Sequence, residues 1–256
     1  MLSSLVIGRK VARIMNDLDA DAEFERTGIP EIATWINEAC LEIVRLKPSE
    51  LTARVAMKLT PGSTRQRLAV AEFVDMADGT EVQQFVPLQL LDVGRNMGAD
   101  GMTPGTVTRK IEQQAIDGML PDWHTRKAEK EIRWVIVDPN EKMAFQVCFQ
   151  APATDLYVEV LVSRKPFNIL LNDADELGTD DIDAGLSDAL ETAVAAYVAH
   201  KVLAKDSTSA VNEARSQSCL RAFGTAIGVE VANDNRYPER KWRRQQAPAE
   251  EGTPQQ

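Results

Sequence analysis

Histidine and cysteine are scarce in this chain of 256 residues, which has two histidines, His124 and His200, and three cysteines, Cys40, Cys148 and Cys219. Two histidines exclude a His-rich metal site by counting, and no cysteine pair has the spacing of zinc ligands. An odd number of widely separated cysteines fits reduced thiols in a cytoplasm better than a disulfide framework, and predicts small core residues. No stretch approaches the roughly 18 apolar residues of a membrane span. The N-terminal segment also lacks the basic start and long apolar run of a secretory signal. Phosphate-cradling motifs are missing: there is neither a Gly-x-Gly-x-x-Gly fingerprint nor a P-loop. The esterase elbow is missing too, because Gly185-Leu186-Ser187-Asp188-Ala189 fails at its last position. Positive charge is in deficit, with 29 Lys and Arg against 39 Asp and Glu and a net charge of −10. That balance argues against a surface that grips phosphate backbone throughout, since such binding is mostly neutralisation by Lys and Arg.

What remains is a soluble, folded composition, 44% hydrophobic, long enough to bury a core without metal or disulfide support. Ile7, Val11, Ile14 and Leu18 recur at helical spacing and predict a first helix of about four turns, capped by Ser3 or Ser4. After the polar, acidic stretch 19–28, Pro30 opens a second helix with Ile32, Ile36, Ala39, Ile43 and Leu46 on one face, ended by Lys47-Pro48. From residue 51 the period becomes two. Leu51, Ala53, Val55, Met57 and Leu59, then Pro61-Gly62-Ser63 and a run with Leu68, Val70, Phe73 and Val74, read as a hairpin. Gly79, Gly94, Gly98, Gly101 and Gly105 mark 75–105 as mostly loop with one short strand at 84–91, followed by a short helix at 106–117 closed by Gly118. Segments 132–137, 143–150 and 156–163 predict an antiparallel meander. Ile182, Leu186, Leu190, Val194, Tyr197 and Val198 with many alanines specify a long helix over 182–204, and a last helix runs from Ser209 to Ile227.

This order predicts an α+β protein: a helical bundle formed by the N- and C-terminal helices, with a β-rich antiparallel insertion in the middle. The expected units are residues 1–50 and 166–230 for the bundle, 51–165 for the insertion and 231–256 for an extended tail.

Candidate chemistry is thin. His124, beside Trp123 and Asp122, can in principle serve as a base or ligand, but a lone His there is more often structural. His200 lies in the alanine-rich helix. Asp173, Asp175, Glu176, Asp180, Asp181, Asp183, Asp188 and Glu191 fall within 166–200, which holds no Lys or Arg. An EF-hand starting at Asp173 fails at Leu177 and at Ala184, where a bidentate Glu is required. The simpler reading is a favourable helix N-terminus, with Asp180, Asp181 or Asp183 as cap; a divalent-ion site and a functionally negative surface stay open. No catalytic residue, cofactor or metal is expected. The tail reverses the charge: Arg236, Arg240, Lys241, Arg243 and Arg244 surround Tyr237 and Trp242. It reads as a solvated terminus, as a nucleic-acid contact through phosphate and stacking, or as a protein-docking segment anchored by Trp242.

The succession of PEIATWINEACLEIVRLKP, LPDWH, a strand followed by SRKPF, and LSDALETAVAAYVAHKVLAKDSTSAVNEARSQSCLRAFGTAIG resembles the head-to-tail adaptor, or connector, proteins of short-tailed bacteriophages, of the tail tubular protein A type. The plan covers about residues 1–230. The specific matches are Trp35-Ile36-Asn37, Pro121-Asp122-Trp123-His124 and the stretch from Tyr197 to Ala204-Lys205-Asp206, which are packing and turn motifs. The resemblance implies a non-enzymatic homo-oligomeric ring of 12 copies at the virion's head-tail junction, assembled in the host cytoplasm. It binds the portal protein above and the tail nozzle or tube, and tail fibre proteins, below. DNA passes through its channel without specific binding, and no membrane is involved. Adaptor C-termini often reach the portal, so the resemblance makes 236–246 the expected docking segment, through Arg236, Tyr237, Arg240, Lys241, Trp242, Arg243 and Arg244. Independently of it, an acidic channel lets phosphates slide, and a ring needs two different faces that meet head to tail.

Overall fold

A computed structural model of the chain describes residues 3–15, 18–19, 22–23, 28–82, 85–126, 130–152, 154–168, 186–205 and 210–228. Its helices are α1 (Ser4–Met15), α2 (Ile29–Leu46), α3 (Gln113–Met119), α4 (Glu191–Lys205) and α5 (Ala210–Ile227). Its strands are β1 (Leu18–Asp19), β2 (Ala22–Glu23), β3 (Thr52–Lys58), β4 (Arg65–Arg67), β5 (Phe73–Val74), β6 (Pro87–Asn96), β7 (Arg109–Lys110), β8 (Trp134–Ile136), β9 (Ala144–Val147) and β10 (Tyr157–Arg164). The protein is α+β, with helices gathered from both ends of the described chain around a β-rich middle.

The helices α1, α2, α4 and α5 share one core. Ile7 and Val11 of α1, Ile32, Ile36, Ala39 and Ile43 of α2, and Phe223 and Ile227 of α5 close around α4. Helix α4 buries Ala193, Val194, Ala195, Ala196, Val198, Ala199, Val202 and Leu203, so it is apolar on most sides and belongs inside. Its alanines let the neighbouring helices approach closely. Pro30 lies in the first turn of α2, where its missing N–H costs no helical bond, and Lys47 caps the far end by donating its N–H to the Ile43 carbonyl. The start of the last pair is capped by Ser187, whose hydroxyl accepts from Ala189 N at 3.2 Å. That Ser takes the place expected for Asp180, Asp181 or Asp183, which lie outside the described residues. The first helix is shorter than its apolar spacing predicts: it ends at Met15, and Leu18 is a strand residue paired with Glu23. Leu46, expected on the buried face of α2, is exposed.

Two four-stranded sheets, ordered β5-β3-β10-β6 and β4-β9-β8-β7, form the middle. Val55, Met57, Leu90, Val93, Val158, Val160 and Val162 of the first share one apolar cluster with Val135, Phe145 and Val147 of the second, so the sheets pack face to face. Every pair is antiparallel except β7 with β8, which is parallel.

Here four expectations are corrected in whole or in part. The hairpin expected over 51–74 holds only between β3 and β5, which pair antiparallel at Ala56↔Val74 and Met57↔Phe73; β4, the strand next to the turn, pairs instead with β9 in the other sheet, and β3 takes β10 as its second neighbour. The buried Gln66 explains the separation. Its Oε1 accepts from Thr60 N at 2.6 Å, and its Nε2 donates to the carbonyls of Thr60 and Ser63 at 3.2 and 2.8 Å. One side chain thus satisfies backbone that a hairpin ladder would otherwise pair. The meander breaks in the same way, because β8 and β9 pair but β10 leaves to become an inner strand of the first sheet. Segment 84–91 extends to the ten-residue β6, and the helix expected over 106–117 is the short strand β7 followed by α3, which has Gly118 inside it.

Asn96 at the end of β6 joins the layers. Its Nδ2 donates to the carbonyls of Thr106 and Ile132, each at 2.9 Å, and its Oδ1 accepts from Ile132 N at 2.9 Å. The turn that follows packs back on the first sheet: Gly101, at φ 76°, lies against Val74, and a Cβ there would also meet Tyr157 at 3.4 Å. Positive φ and lack of space together predict that Gly101→Ala costs about 2–4 kcal/mol, read as a lowered urea midpoint with an unchanged slope.

Candidate assembly surface

The seven tail residues singled out from sequence, Arg236, Tyr237, Arg240, Lys241, Trp242, Arg243 and Arg244, lie outside the described residues, as does the acidic segment from Asp173 to Asp183. Of that acidic run, Asp188 and Glu191 are described, and Glu191 meets Lys10 of α1 at 2.8 Å. It ties α4 to α1. Among the described residues no group of three or more His, Cys, Asp or Glu side chains is placed to hold a metal ion, and no helix is long and apolar enough to cross a membrane.

The motif around His124 is a packing device. Trp123 is buried, its Nε1 donates to Asp117 Oδ1 at 2.7 Å, and it closes a cluster with Ile116, Ile136 and Cys148. The Asp122 carboxylate faces Arg126, with Nε and Nη2 at 3.0 and 2.9 Å. That hydrogen bond holds Asp122 below the usual carboxylate range. Asp122 is therefore turned to an arginine, while His124 is exposed and stands edge-on to Trp123. Burial pushes the Cys148 thiol up to about 11. Cys40 is buried like it, and Cys219 is half-buried.

Charge is organised elsewhere, in places the sequence patterns did not single out. On the face of the first sheet turned away from the shared core, Glu159 of β10 is buried to 8% exposure between Arg54 of β3 and Arg95 of β6. Arg54 Nη1 donates to Glu159 Oε1, and Arg95 Nε lies 3.4 Å from Oε2. Gly94 makes the space: a Cβ there would stand 2.8 Å from Glu159 Oε2. A carboxylate withdrawn from water needs a cationic partner; here it has two, and their side chains stay 58% and 46% exposed. Asp92 on the same strand as Arg95 pairs with Lys110 at 2.8 Å. The five charges sum to +1.

The edge of that sheet carries the opposite sign. Strand β5 turns back on itself, with Val82 N donating to the Phe73 carbonyl at 3.1 Å and Asp75 N to Thr80 O at 2.8 Å. The tip presents Asp75, Asp78 and Glu81, and no Lys or Arg occurs from 68 to 94. Gly79 faces Met102, which brings the turn bearing Asp100 alongside. Hydrogen bonds from Thr80 hold Asp78 below its ordinary range, and those from Thr103 and Met102 do the same for Asp100, which favours the ionised form of these two. The signal in the sequence was a Glu within the apolar run 156–163 and a glycine in the partner strand, but only the register connects them.

The sequence matches the SU10 adaptor protein family over residues 5–249, and the chain belongs to that family of phage adaptor proteins. It is thereby a structural component of the head-tail junction of the virion. No curated protein matches the sequence.

A half-buried titratable group lies between α4 and α5. His200 Nδ1 is 2.8 Å from Ser216 Oγ and 3.2 Å from the Ser216 carbonyl, which can only accept, so Nδ1 carries the proton. Burial holds His200 below its ordinary value of 6.5, helped by Lys201 and opposed by the Ser216 bond. The unfolded chain therefore takes up the second proton more readily. Stability is complete above 6.5 and falls as pH drops through the lower folded value. Thermal midpoints between about pH 7 and pH 5 should decline, and His200→Gln should flatten that decline.

Proposed function

We propose that the chain is a head-to-tail adaptor whose copies form a ring that binds the portal, connects it to the tail and surrounds the DNA exit channel, without enzymatic activity. The observation that carries this reading is the family match over residues 5–249. The likeness to short-tailed phage adaptors of the tail tubular protein A type extends it to a ring of 12 copies with nozzle or tube and tail fibre proteins as partners. Residues 1–50 and 166–230 are assigned to the ring body and 51–165 to an insertion directed outward or toward tail components. A net charge of −10 suits a channel that passes DNA without holding it.

Residues 236–246 are proposed as the portal anchor, with Trp242 filling a pocket and Arg236, Arg240, Lys241, Arg243 and Arg244 meeting carboxylates around it. Tyr237 adds a second aromatic contact. An aromatic and arginines in one short segment are the residue types that dominate interface energetics. Deleting 236–256 should leave a folded subunit and weaken its attachment to portal rings, measured by co-sedimentation; unchanged attachment would overturn the assignment. If the same segment instead contacts nucleic acid, duplex DNA binding falls steeply with salt and disappears when its five basic residues are neutralised.

A further inference from the structure

We propose that the Arg54–Glu159–Arg95 face receives the acidic turn of Asp75, Asp78 and Glu81 from a second copy of this chain, which makes it one half of the contact between neighbours. The proposal rests on the ring reading above and names the two surfaces that meet.

The first half is a built site. One arginine suffices to neutralise a buried carboxylate. Glu159 has two, drawn from both flanking strands, and the second guanidinium is the excess charge on this face. Glu159 also limits how far the two arginines can wander, so that less rotamer freedom is lost when a partner binds. Gly94 completes the device, since any side chain there would displace the Glu159 carboxylate. Arginine forks of this kind suit carboxylate ligands.

The second half is the tip. Asp75 uses Oδ1 to accept from Ala77 N at 2.8 Å, and Asp78 uses Oδ1 for the N–H and hydroxyl of Thr80 at 2.9 and 2.7 Å. Each keeps Oδ2 clear of those bonds. The hydrogen bonds fix the carboxylates on a tight turn that projects from the β5 edge, and Asp100 strengthens the local field. A partner meeting this tip must bring cations. The positive face and the negative tip lie on different parts of one chain, which is the requirement of a head-to-tail contact: two unlike surfaces, repeated until the rotation closes.

The test uses charge exchange in the full chain. One variant carries Arg54→Glu, Glu159→Gln and Arg95→Glu, which reverses the face without leaving a buried unpaired carboxylate. The other carries Asp75→Lys, Asp78→Lys and Glu81→Lys on the exposed tip. Each is mixed with portal rings at low ionic strength, and assembly is read by mass measurement. Either variant alone should assemble about tenfold less well than the wild type. An equimolar mixture should recover, because reversed face meets reversed tip at one contact and native meets native at the next. Circular dichroism checks that both are folded; if the face variant is not, the tip variant alone carries the test.

Wild-type rings with normal assembly of either folded variant would overturn the assignment and leave the ring reading intact. So would failure of the mixture to recover from two folded variants. Assembly that is unchanged, with loss of salt-sensitive duplex DNA retention by the face variant, would reassign the arginines to phosphate. A wild-type chain that remains monomeric with portal rings would overturn the ring reading and this proposal together.

Discussion

The helical part of this protein depends on the burial of α4. A helix that buries Ala193 to Ala196, Val198, Ala199, Val202 and Leu203 has no stable place at the surface. It must be surrounded, and the chain supplies its surroundings from both sides of the β-rich middle: α1 and α2 before it, α5 after. The apolar contacts determine that these helices meet. Ion pairs at the rim, Lys10 with Glu191, Lys201 with Glu38 and Lys205 with Glu31, then bias which turn faces which. As partly exposed pairs, screened by solvent, each contributes on the order of 1 kcal/mol.

This arrangement couples distant parts of the sequence, since Lys205 near the end of α4 holds Glu31 at the start of α2. The middle can then be elaborated freely, provided its two ends come back together. They do so through β3 and β10, which are neighbours over seven residue pairs from Tyr157↔Lys58 to Ser163↔Thr52. Entry to the sheet region and exit from it are therefore one antiparallel pair. The chain returns beside the point at which it left, close to the helical core that Leu51 joins.

Within the sheets, polar side chains do what main chain does elsewhere. Gln66 and Asn96 are both wholly buried; Gln66 bonds to backbone of Thr60 and Ser63, and Asn96 to backbone of Thr106 and Ile132 and to the Thr106 hydroxyl. In a low-dielectric interior each unmade bond would be costly, so such residues specify one arrangement rather than several. Glu159 follows the same rule with a charge in place of an amide, and its second arginine remains available at the surface. The fold presents these groups on an inner strand, β10, whose register with β3 and β6 sets where they meet.

How much of this was legible in the sequence follows from the range of the interactions. Helical periodicity reports a face within one segment, so α2, α4 and α5 were readable, and the packing of Ile32, Ile36 and Ile43 with them. Alternation located the strands β3, β8, β9 and β10 and, of their pairings, β8 with β9 and β3 with β5, but not the place of β10 or β4, because an apolar run of period two is equally content in either sheet. The hairpin expected at Pro61-Gly62-Ser63 shows the difference: the turn is real and Phe73-Val74 return to β3, but β4, next to the turn, pairs with β9. The tail was conspicuous by composition, and it is outside the described residues. The face formed by Arg54, Glu159 and Arg95 could not be seen, since more than a hundred residues separate Arg54 from Glu159. By itself the sequence determined which segments are apolar and with what period, because those are properties of neighbours along the chain. Only the tertiary structure decided which strands pair and which charges meet, because those depend on two backbones being brought to hydrogen-bonding distance by a core neither contains alone.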